Sequence, residues 1–508
     1  MPNLKSFFKR YWPFFLFVVL SLAIRFINYK QLLLFTWDQG RDYFAVQKIV
    51  NGDLTLIGPT TGLQGFFLGP LWYYLGVIGY IIGGGSPFIF SLFYSIIACL
   101  AVPAYWIFSQ QLFKDKKFSS LLAVLLSAAY SSVLATTRVW NPMISVVLMI
   151  VSYLLLVKAR SSRLMLWLGF FSLGLVLQSE FAYGIFFAAT LFVLIFWIRK
   201  RFNWLDYLAA ASAVGLTFVP QLLFELRNQF IMSKSLVCAL INPQQLNCVS
   251  QPEQINWSIF LSRRPFALLR TTKHLMTDFS DASWPVFLIM LLLVILGLKL
   301  IPKRRQDINH DSFKWQLLAL FAVIPYPFFL FWKGNQGYFF EYYLTPHFVF
   351  LLPLFVLGVK WLIKQHRIKS CYACVLLGMV LFIYQANLYH RFFNPVNNAG
   401  YNTMNRAISQ IYTWMNTDQV SPGVIRVFTP NAETEHYDAL IHWQAKQEQQ
   451  PIPYTVRDSD DRNWYILIEP DYQTEKRLNK WYRQATDSGR LTRRRKIGDL
   501  TVESWQKK

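Results

Sequence analysis

Long apolar segments alternate with short polar ones over most of the chain. Each apolar segment is close in length to the roughly 20 residues that an α-helix needs to cross a bilayer. The apolar segments are 11–28, 66–83, 87–109, 118–136, 141–157, 163–178, 182–198, 204–222, 284–301, 315–332, 342–363 and 371–388. The pattern predicts a mainly α-helical, multi-pass membrane protein.

Clusters of Lys and Arg between the apolar segments predict how the chain crosses the membrane. They are Lys5/Lys9/Arg10, Lys114/Lys116/Lys117, Lys158/Arg160/Arg163, Arg199/Lys200/Arg201, Lys303/Arg304/Arg305 and Lys364/Arg367/Lys369. Basic loops favour the cytoplasm, so the N-terminus is predicted to be cytoplasmic. Segment 66–83 breaks the alternation of sides, and it contains the helix breaker Gly69-Pro70. We therefore expect it to be interfacial or re-entrant, which leaves about eleven transmembrane helices and an external C-terminus.

The composition changes after residue 388. "GVIRVFTP", "NWYILIEP" and "IGDLTVESW" predict strands, and "ETEHYDALIHWQAKQ" and "QTEKRLNKWYRQAT" predict helices between them. We expect a transmembrane domain at 1–388, with external loops at 29–86 and 223–283. A small extracytoplasmic α/β domain is expected at 389–508, and nothing in its sequence marks it as catalytic.

The composition narrows the class of protein. Of the residues, 54% are hydrophobic and only 15% are charged, which excludes a soluble multidomain enzyme. The net charge of +23 lies mostly in the short loop clusters, so it fits lipid headgroups and predicts no nucleic-acid partner. Cys99, Cys371 and Cys374 fit packing roles, whereas Cys238 and Cys248 share one loop and could form a disulfide or stay reduced.

The stretch "FTWDQGRDYF" places Asp38, Arg41 and Asp42 on one helical face directly behind an apolar segment. An idle charge is costly near the apolar boundary, so Asp38 is a candidate catalytic carboxylate. Arg41 can keep that carboxylate ionised and oriented, and Asp42 is the natural partner of Arg41. The alternative is that Asp38 is only a solvated helix cap.

Further candidates lie in other predicted external segments. In "INWSIFLSRRPFALLR", Arg263 and Arg264 interrupt an apolar pattern, which is typical of a helix that lies on the membrane and binds an anionic lipid headgroup. The alternative is that both side chains only extend toward water. Glu180 lies between two apolar segments and is a functional candidate, or else it caps a turn. Asn141 is predicted to be a helix N-cap before Pro142, a role compatible with lining a cavity.

No Cys/His spacing suggests zinc, and no dense carboxylate cluster demands a metal. A divalent metal could replace cations at an anionic leaving group, but the sequence does not indicate one. No cofactor is therefore predicted.

An acid at the start of the first external loop, a Pro-containing interfacial helix, about eleven spans and an external C-terminal domain resemble the GT-C superfamily. Within it, the chain is similar to the protein O-mannosyltransferases and the lipid A aminoarabinose transferase, over residues 1–388 and most of all over 35–75. The resemblance implies that Asp38 acts as the base or orients the acceptor, followed by the family's basic residue at Arg41. It also places the lipid phosphate near Lys333-Gly334 and Tyr338, with Arg263 or Arg264 sharing it.

The chain departs from the family's motifs at several positions. The Asp-Glu pair of the mannosyltransferases is Asp38-Gln39 here, and the Lys-Pro or His-Pro of the interfacial helix is Gly69-Pro70. An Asp-Pro after the third span is Asn141-Pro142, and a Lys between spans five and six is replaced by Glu180. These changes bear on the sugar and the acceptor more than on the reaction class.

The sequence therefore predicts an enzyme of the cell envelope. We expect an integral-membrane glycosyltransferase, of hexosyl or pentosyl type, that moves a sugar from a polyprenyl-phosphate donor to a hydroxyl of a glycan, lipid or protein on the extracytoplasmic face, with inversion. Alternatives are a transporter or flippase of lipids or glycolipids, which intramembrane repeats would favour, and a non-catalytic membrane sensor. The polar candidates gather at one predicted membrane face and no repeat is visible, which argues against transport.

Overall fold

The structure is a computed structural model. It describes residues 4–195, 203–240, 257–277, 280–301, 310–332, 339–365, 393–430, 433–455, 462–471, 475–487 and 489–508. Most of the described chain is helical, and a small sheet lies near the C-terminus.

The first set of helices lies between residues 4 and 193. They are α1 (Leu4–Phe26), α2 (Tyr29–Leu32), α3 (Trp37–Val50), α4 (Leu71–Ile82), α5 (Pro87–Ala98), α6 (Ala101–Leu112), α7 (Lys116–Ala128), α8 (Tyr130–Thr137), α9 (Ser145–Lys158), α10 (Arg163–Ser179) and α11 (Phe181–Val193). A 3₁₀ turn at Asn141–Ile144 leads into α9.

The second group of apolar helices completes the membrane part. They are α12 (Trp204–Thr217), α13 (Val219–Arg227), α14 (Ile231–Leu240), α15 (Trp257–Met276), α16 (Trp284–Leu300), α17 (His310–Val323), α18 (Pro325–Phe331) and α19 (Phe348–Gln365). Apolar side chains of α12 and of α15 to α19 join those of α6, α7, α9 and α10 in one large core.

Length and hydropathy qualify part of this set as membrane spans. Five helices are long and apolar enough, and the count rises to seven if the bent pairs α7–α8 (54°) and α12–α13 (60°) are each one span. The protein is thus a multi-pass membrane protein, but the predicted count of about eleven spans is not confirmed. Segment 371–388 lies outside the described residues.

Helix α4 occupies the segment predicted not to cross the membrane. It has 12 residues, which is roughly 18 Å of helix against a hydrocarbon core of about 30 Å. Ile78, Ile81 and Ile82 are exposed near its C-terminal end, whereas Trp72 and Tyr73 are buried near its start. A helix too short to span, with an apolar exposed end, fits the interfacial prediction.

A buried arginine holds the bend between α7 and α8. The Arg25 guanidinium donates to the carbonyl oxygen of Ser127 (2.9 Å), where α7 ends, and to the hydroxyls of Ser132 (2.9 Å) and Thr136 (2.7 Å) on α8. The end of a helix leaves carbonyl groups without intrahelical partners, and a buried carbonyl needs a donor. Arg25 supplies that donor and so fixes the direction in which α8 leaves the bend.

The C-terminal part combines three helices with a four-stranded sheet. The helices are α20 (Tyr401–Thr417), α21 (Glu435–Gln447) and α22 (Glu475–Ala485), and the strands are β1 (Ile425–Phe428), β2 (Asn463–Ile468), β3 (Gly489–Ile497) and β4 (Leu500–Lys507). The strand order is β1-β2-β4-β3; β1 pairs with β2 in parallel, and the other pairs are antiparallel. The predicted small α/β region is confirmed, whereas its boundary at residue 388 stays a prediction.

The cysteines are only partly described. Cys99 is buried and is not part of a disulfide, as expected for a packing residue. Cys238 on α14 is disulfide-bonded, and its partner lies outside the described residues, as do Cys248, Cys371 and Cys374.

Candidate active site

A cavity of about 660 Å³ lies between α3, the loop that follows it, and the ends of several apolar helices. Its wall combines charged groups with many aromatic rings. The lining residues are Trp37, Asp38, Arg41, Thr60, Thr61, Gly62, Leu63, Phe66, Leu68, Trp140, Asn141, Pro142, Glu180, Phe181, Ala182, Leu236, Trp257, Phe331, Trp332, Tyr342 and Tyr343. Four residues singled out from the sequence, Asp38, Arg41, Asn141 and Glu180, therefore meet at one cavity.

The start of α3 is fixed by a capping box. The backbone N–H and the hydroxyl of Thr36 both donate to Gln39 Oε1, at 2.6 and 2.7 Å. The amide nitrogen of Gln39 donates in turn to the backbone oxygen of Val139, which ties α3 to the segment before Trp140. A glutamate could not make this last bond, because an ionised carboxylate only accepts hydrogen bonds. This hydrogen bond is a structural reason for a glutamine, rather than a glutamate, after Asp38.

The three charged residues of α3 form one linked group. Arg41 Nη1 lies 3.0 Å from Asp38 Oδ1, and Arg41 Nη2 lies 2.7 Å from Asp42 Oδ1. Trp72 Nε1 donates to Asp42 Oδ2 at 2.7 Å. The Asp38 side chain is 27% exposed and faces the cavity, whereas that of Asp42 is 2% exposed and is not part of the wall. Asp42 is therefore an anchor for Arg41, and Asp38 is the carboxylate that a ligand can reach.

The surroundings of Arg41 keep it charged. Burial lowers the pKa of Arg41, but the carboxylates of Asp42 and Asp38 outweigh burial and leave that pKa raised above its ordinary value. The guanidinium also stacks over the Trp37 ring at 4.9 Å from the ring centre and donates to the Thr60 hydroxyl at 3.3 Å. Arg41 thus contacts two carboxylates, an aromatic ring and a hydroxyl, and it fixes the orientation of Asp38.

The loop between α3 and α4 forms part of the cavity wall, and two glutamines hold it in place. Gln178 Nε2 donates to Gln221 Oε1 at 2.6 Å, and Gln221 Nε2 donates to the Phe67 backbone oxygen at 3.1 Å. A Cβ atom at Gly69 would lie 1.2 Å from Gln178 Oε1. A side chain at residue 69 would therefore have to displace the Gln178 amide from its hydrogen bond to Gln221.

Glu180 and Asn141 both line the cavity, and a hydrogen bond joins Asn141 to Ser179, the residue before Glu180. Glu180 is buried between α10 and α11, outside both helices, and burial raises its pKa to about 8, although the backbone N–H groups of Ala182 and Tyr183 favour the charged form. Asn141 is the first residue of a 3₁₀ turn, and its Nδ2 donates to the Ser179 oxygen at 2.7 Å. The predicted N-cap role of Asn141 was wrong: its amide instead satisfies a carbonyl at the end of α10.

Arg138 is a functional candidate that the sequence reasoning missed. It directly follows α8, and its guanidinium stacks over Trp140 at 4.6 Å from the ring centre. Burial lowers the pKa of Arg138 below its ordinary value, although the nearby Asp38 carboxylate opposes that shift. Arg138 is therefore a second cation within electrostatic reach of Asp38. The available signal was its position in "TRVWNP", beside an aromatic ring in a predicted external turn.

Two other predicted cations, Arg263 and Arg264, are not brought to this cavity. Arg263 is exposed on α15, and the buried Arg264 stacks on the rings of Phe260 (4.3 Å) and Phe339 (5.3 Å). Neither is part of the cavity wall, although Trp257 of the same helix is. Lys333 and Tyr338 lie outside the described residues.

The cavity thus contains an accessible carboxylate, Asp38, which is paired with Arg41 and surrounded by aromatic side chains. Trp37 Nε1 is buried and has no hydrogen-bond partner within the described part of the chain, so it offers a donor to a ligand. Within that same part, no group of three His, Cys, Asp or Glu side chains is placed to hold a metal ion. The chemistry available from these side chains is proton transfer at Asp38 and charge stabilisation by arginine.

Comparison with known proteins identifies the fold. Two crystal structures of ArnT from Cupriavidus metallidurans, one in the apo state and one bound to undecaprenyl phosphate, match with TM-scores of 0.57 and 0.56 at 14% sequence identity. The matches cover 96% and 97% of this chain and 97% and 98% of those chains. The archaeal oligosaccharyltransferase AglB from Archaeoglobus fulgidus, in complex with an inhibitory peptide and a dolichol-phosphate, matches at a TM-score of 0.45 and 12% identity over 95% of this chain and 73% of that chain.

No protein-family model and no curated protein matches the sequence. The ArnT matches extend from the membrane helices into the C-terminal region, because they cover nearly the whole of both chains. The chain therefore shares the fold of ArnT from Cupriavidus metallidurans.

Proposed function

We propose that this protein is a glycosyltransferase that moves a sugar from a polyprenyl-phosphate donor to an acceptor hydroxyl at the extracytoplasmic face. The observation that carries the proposal is the cavity in which Asp38, held by Arg41, meets aromatic walls. Aromatic faces suit the apolar faces of a sugar ring, and the carboxylate suits a hydroxyl proton. The ArnT bound to undecaprenyl phosphate, which shares the fold, supports a lipid-phosphate donor.

The reaction needs one base and one stabilised leaving group. The acceptor oxygen attacks the anomeric carbon while its proton passes to the Asp38 carboxylate. The bond between that carbon and the phosphate oxygen breaks, and its electron pair leaves with the polyprenyl phosphate, which gains negative charge. Preorganised cations stabilise that charge, and a one-step displacement inverts the anomeric centre.

Arg138 is our candidate for the cation at the donor phosphate. Arg41 is occupied by two carboxylates, and Gly69 and Glu180 stand where the resembling family carries basic residues. Arg138 is not itself part of the cavity wall, but it stacks on Trp140, which is, and it lies in the field of Asp38. The earlier candidates Arg263, Arg264 and Lys333 are the rival set.

Replacing Arg138 with glutamine should weaken donor binding and leave folding intact. Losing a hydrogen bond to a charged group costs about 1.5–3 kcal/mol, which corresponds to a roughly 10- to 150-fold loss of affinity. The measurement is the Kd for a polyprenyl-phosphate sugar in detergent micelles. Arg263→Gln, which removes an exposed arginine on α15, is the matched control and should bind normally. Weakened binding in Arg263→Gln with normal binding in Arg138→Gln would instead place the phosphate beside α15.

The extracytoplasmic location can be tested by labelling. Cysteine introduced at the exposed Asp53 or Gln447 should react with an impermeant maleimide applied to intact cells, whereas cysteine at Lys116 or Ser161 should react only after permeabilisation. The unmodified protein gives the background from the native cysteines. Labelling of positions 53 and 116 from the same side would contradict the proposed orientation.

The proposed reaction is tested with the purified protein in liposomes that contain polyprenyl-phosphate donors with radiolabelled sugars. We expect label to pass from the lipid to a glycan, lipid or protein acceptor supplied from a cell-envelope extract. A panel of hexose, pentose and amino-sugar donors identifies the sugar. Donors that all remain intact in the presence of folded protein and extract would contradict a transferase.

A further inference from the structure

The C-terminal helices pack directly on the segment that carries Asp38. Side chains of α3, α4 and α5 share one apolar core with those of α20 and α21. The backbone N–H of Tyr401 at the start of α20 donates to the Leu33 oxygen at 3.0 Å, and the rings of Tyr401 and Phe35 meet edge to face at 5.8 Å. The approach to α3 is therefore held by the C-terminal region.

The closest approach is at Gly40, between Asp38 and Arg41. At 3.6 residues per turn, Gly40 lies about 200° around the helix from Asp38, so it faces away from the cavity. A Cβ atom at Gly40 would lie 2.3 Å from both the carbonyl carbon of Glu435 and the backbone nitrogen of His436, at the start of α21. These are backbone atoms that cannot rotate away, so α21 is in contact with the back of the catalytic turn.

A second set of contacts joins the other end of α21 to α3. Lys446 Nζ donates to the Gly84 oxygen at 2.8 Å, and Tyr43 OH of α3 donates to the Gly85 oxygen at 2.6 Å. Between them, the Phe44 ring meets the His442 ring edge to face at 5.3 Å. The glycine turn after α4 thus links α3 and α21 to each other.

We propose that α21 of the C-terminal region is a positioning element for catalysis, and that Gly40 is the positioning residue through which it sets the place of Asp38. Carbon atoms pack at about 3.5–4.0 Å, so a side chain at Gly40 must push α3 toward the cavity by about 1 Å or more. A displacement of this size in a reacting group can cost about 100-fold in rate. The C-terminal region would then complete the active site without supplying a reacting group.

The test is Gly40→Ala in the full-length protein, assayed for sugar transfer. We expect kcat to fall by about 100-fold, while KM for the donor stays near the wild-type value, because the proposed phosphate cation Arg138 is not on α3. The clash also lowers the melting temperature, so kcat is measured on the folded protein. The matched control is Gly215→Ala in helix α12, where a Cβ atom meets nothing within 4 Å. This control should leave kcat unchanged.

A second variant keeps the inference testable if Gly40→Ala fails to fold. Replacing both His442 and Lys446 with alanine loosens α21 without creating a clash, and kcat should fall with an unchanged KM. Gln447→Ala, an exposed neighbour on the same helix, is its control. Wild-type kcat in folded Gly40→Ala, or in the double variant if Gly40→Ala does not fold, would overturn the positioning role. The inference rests on the proposed function for its readout, and an absence of transfer in the wild type alone would overturn that function instead.

Discussion

Asp38→Asn should lower the turnover of sugar transfer by about 100-fold or more while donor binding survives. General-base catalysis by a positioned side chain contributes about 10²–10⁴-fold, and an asparagine amide cannot take the acceptor proton. The substitution keeps the size of the side chain and an oxygen that can still accept from Arg41, which lies 3.0 Å away. The measurement is kcat at saturating donor, with the donor Kd measured in parallel.

Asp42→Asn is the matched control for that experiment. It removes a carboxylate from the same helical turn, but one that is 2% exposed and not part of the cavity wall. Its amide oxygen can still accept from Trp72, so the arrangement is loosened rather than lost. The loss of kcat should be smaller than in Asp38→Asn. Equal turnover in Asp38→Asn and wild type, on equally folded protein, would leave Asp38 as a helix cap at the N-terminus of α3.

Arg41→Gln should reduce the free energy of unfolding by about 3–5 kcal/mol. The Asp42 carboxylate is buried and receives two hydrogen bonds from Arg41, at 2.7 and 3.0 Å. Without the guanidinium, a buried charge remains with Trp72 as its described hydrogen-bond donor. Removing one partner of a buried ion pair costs much more than the pair itself contributes. The measurement is SDS-induced unfolding followed by tryptophan fluorescence.

The double variant Arg41→Gln/Asp42→Asn separates this cause from a general loss of packing. With the carboxylate gone, no unpaired buried charge remains, and the double variant should be more stable than Arg41→Gln alone. Arg263→Gln removes an exposed arginine and should leave unfolding within about 0.5 kcal/mol of wild type. If the double variant is less stable than either single variant, Asp42 does not depend on Arg41 for its burial.

The charged group on α3 could be predicted because it depends on local spacing. Residues three and four apart meet on a helix, so the sequence placed Asp38, Arg41 and Asp42 on one face, and the structure links them through Arg41. The strands β1, β2 and β4 and the helices α21 and α22 were predicted for the same reason. Their apolar residues repeat with the period of the element.

One strand and one helix of the C-terminal region were missed. Strand β3 reads Gly-Arg-Leu-Thr-Arg-Arg-Arg-Lys-Ile and is buried only at its two ends. It is an edge strand, paired on one side with β4, and charged residues are common on such strands because they discourage pairing with other chains. Helix α20 was missed as well, although its buried residues pack on the approach to α3.

The cavity itself could not be read from local patterns. Trp140, Phe181 and Tyr342 come from distant parts of the chain, and their convergence depends on how the bent helices pack. The bend at Ala129 is one such feature, since Arg25 on α1 holds it through contacts more than 100 residues away in sequence. Likewise, Gly69 is explained by Gln178, which only the folded structure brings beside it.

We propose that the cavity transfers a sugar rather than carrying a lipid across the membrane. The most direct measurement follows a polyprenyl-phosphate donor that is labelled in both its sugar and its phosphate, in liposomes that contain the protein and an acceptor. For a transferase, the sugar label leaves the lipid and joins the acceptor, with one polyprenyl phosphate formed for each sugar transferred, and Asp38→Asn suppresses both. Movement of the intact doubly labelled donor from one leaflet to the other, with no sugar transferred, would rule out the transferase and identify a transporter.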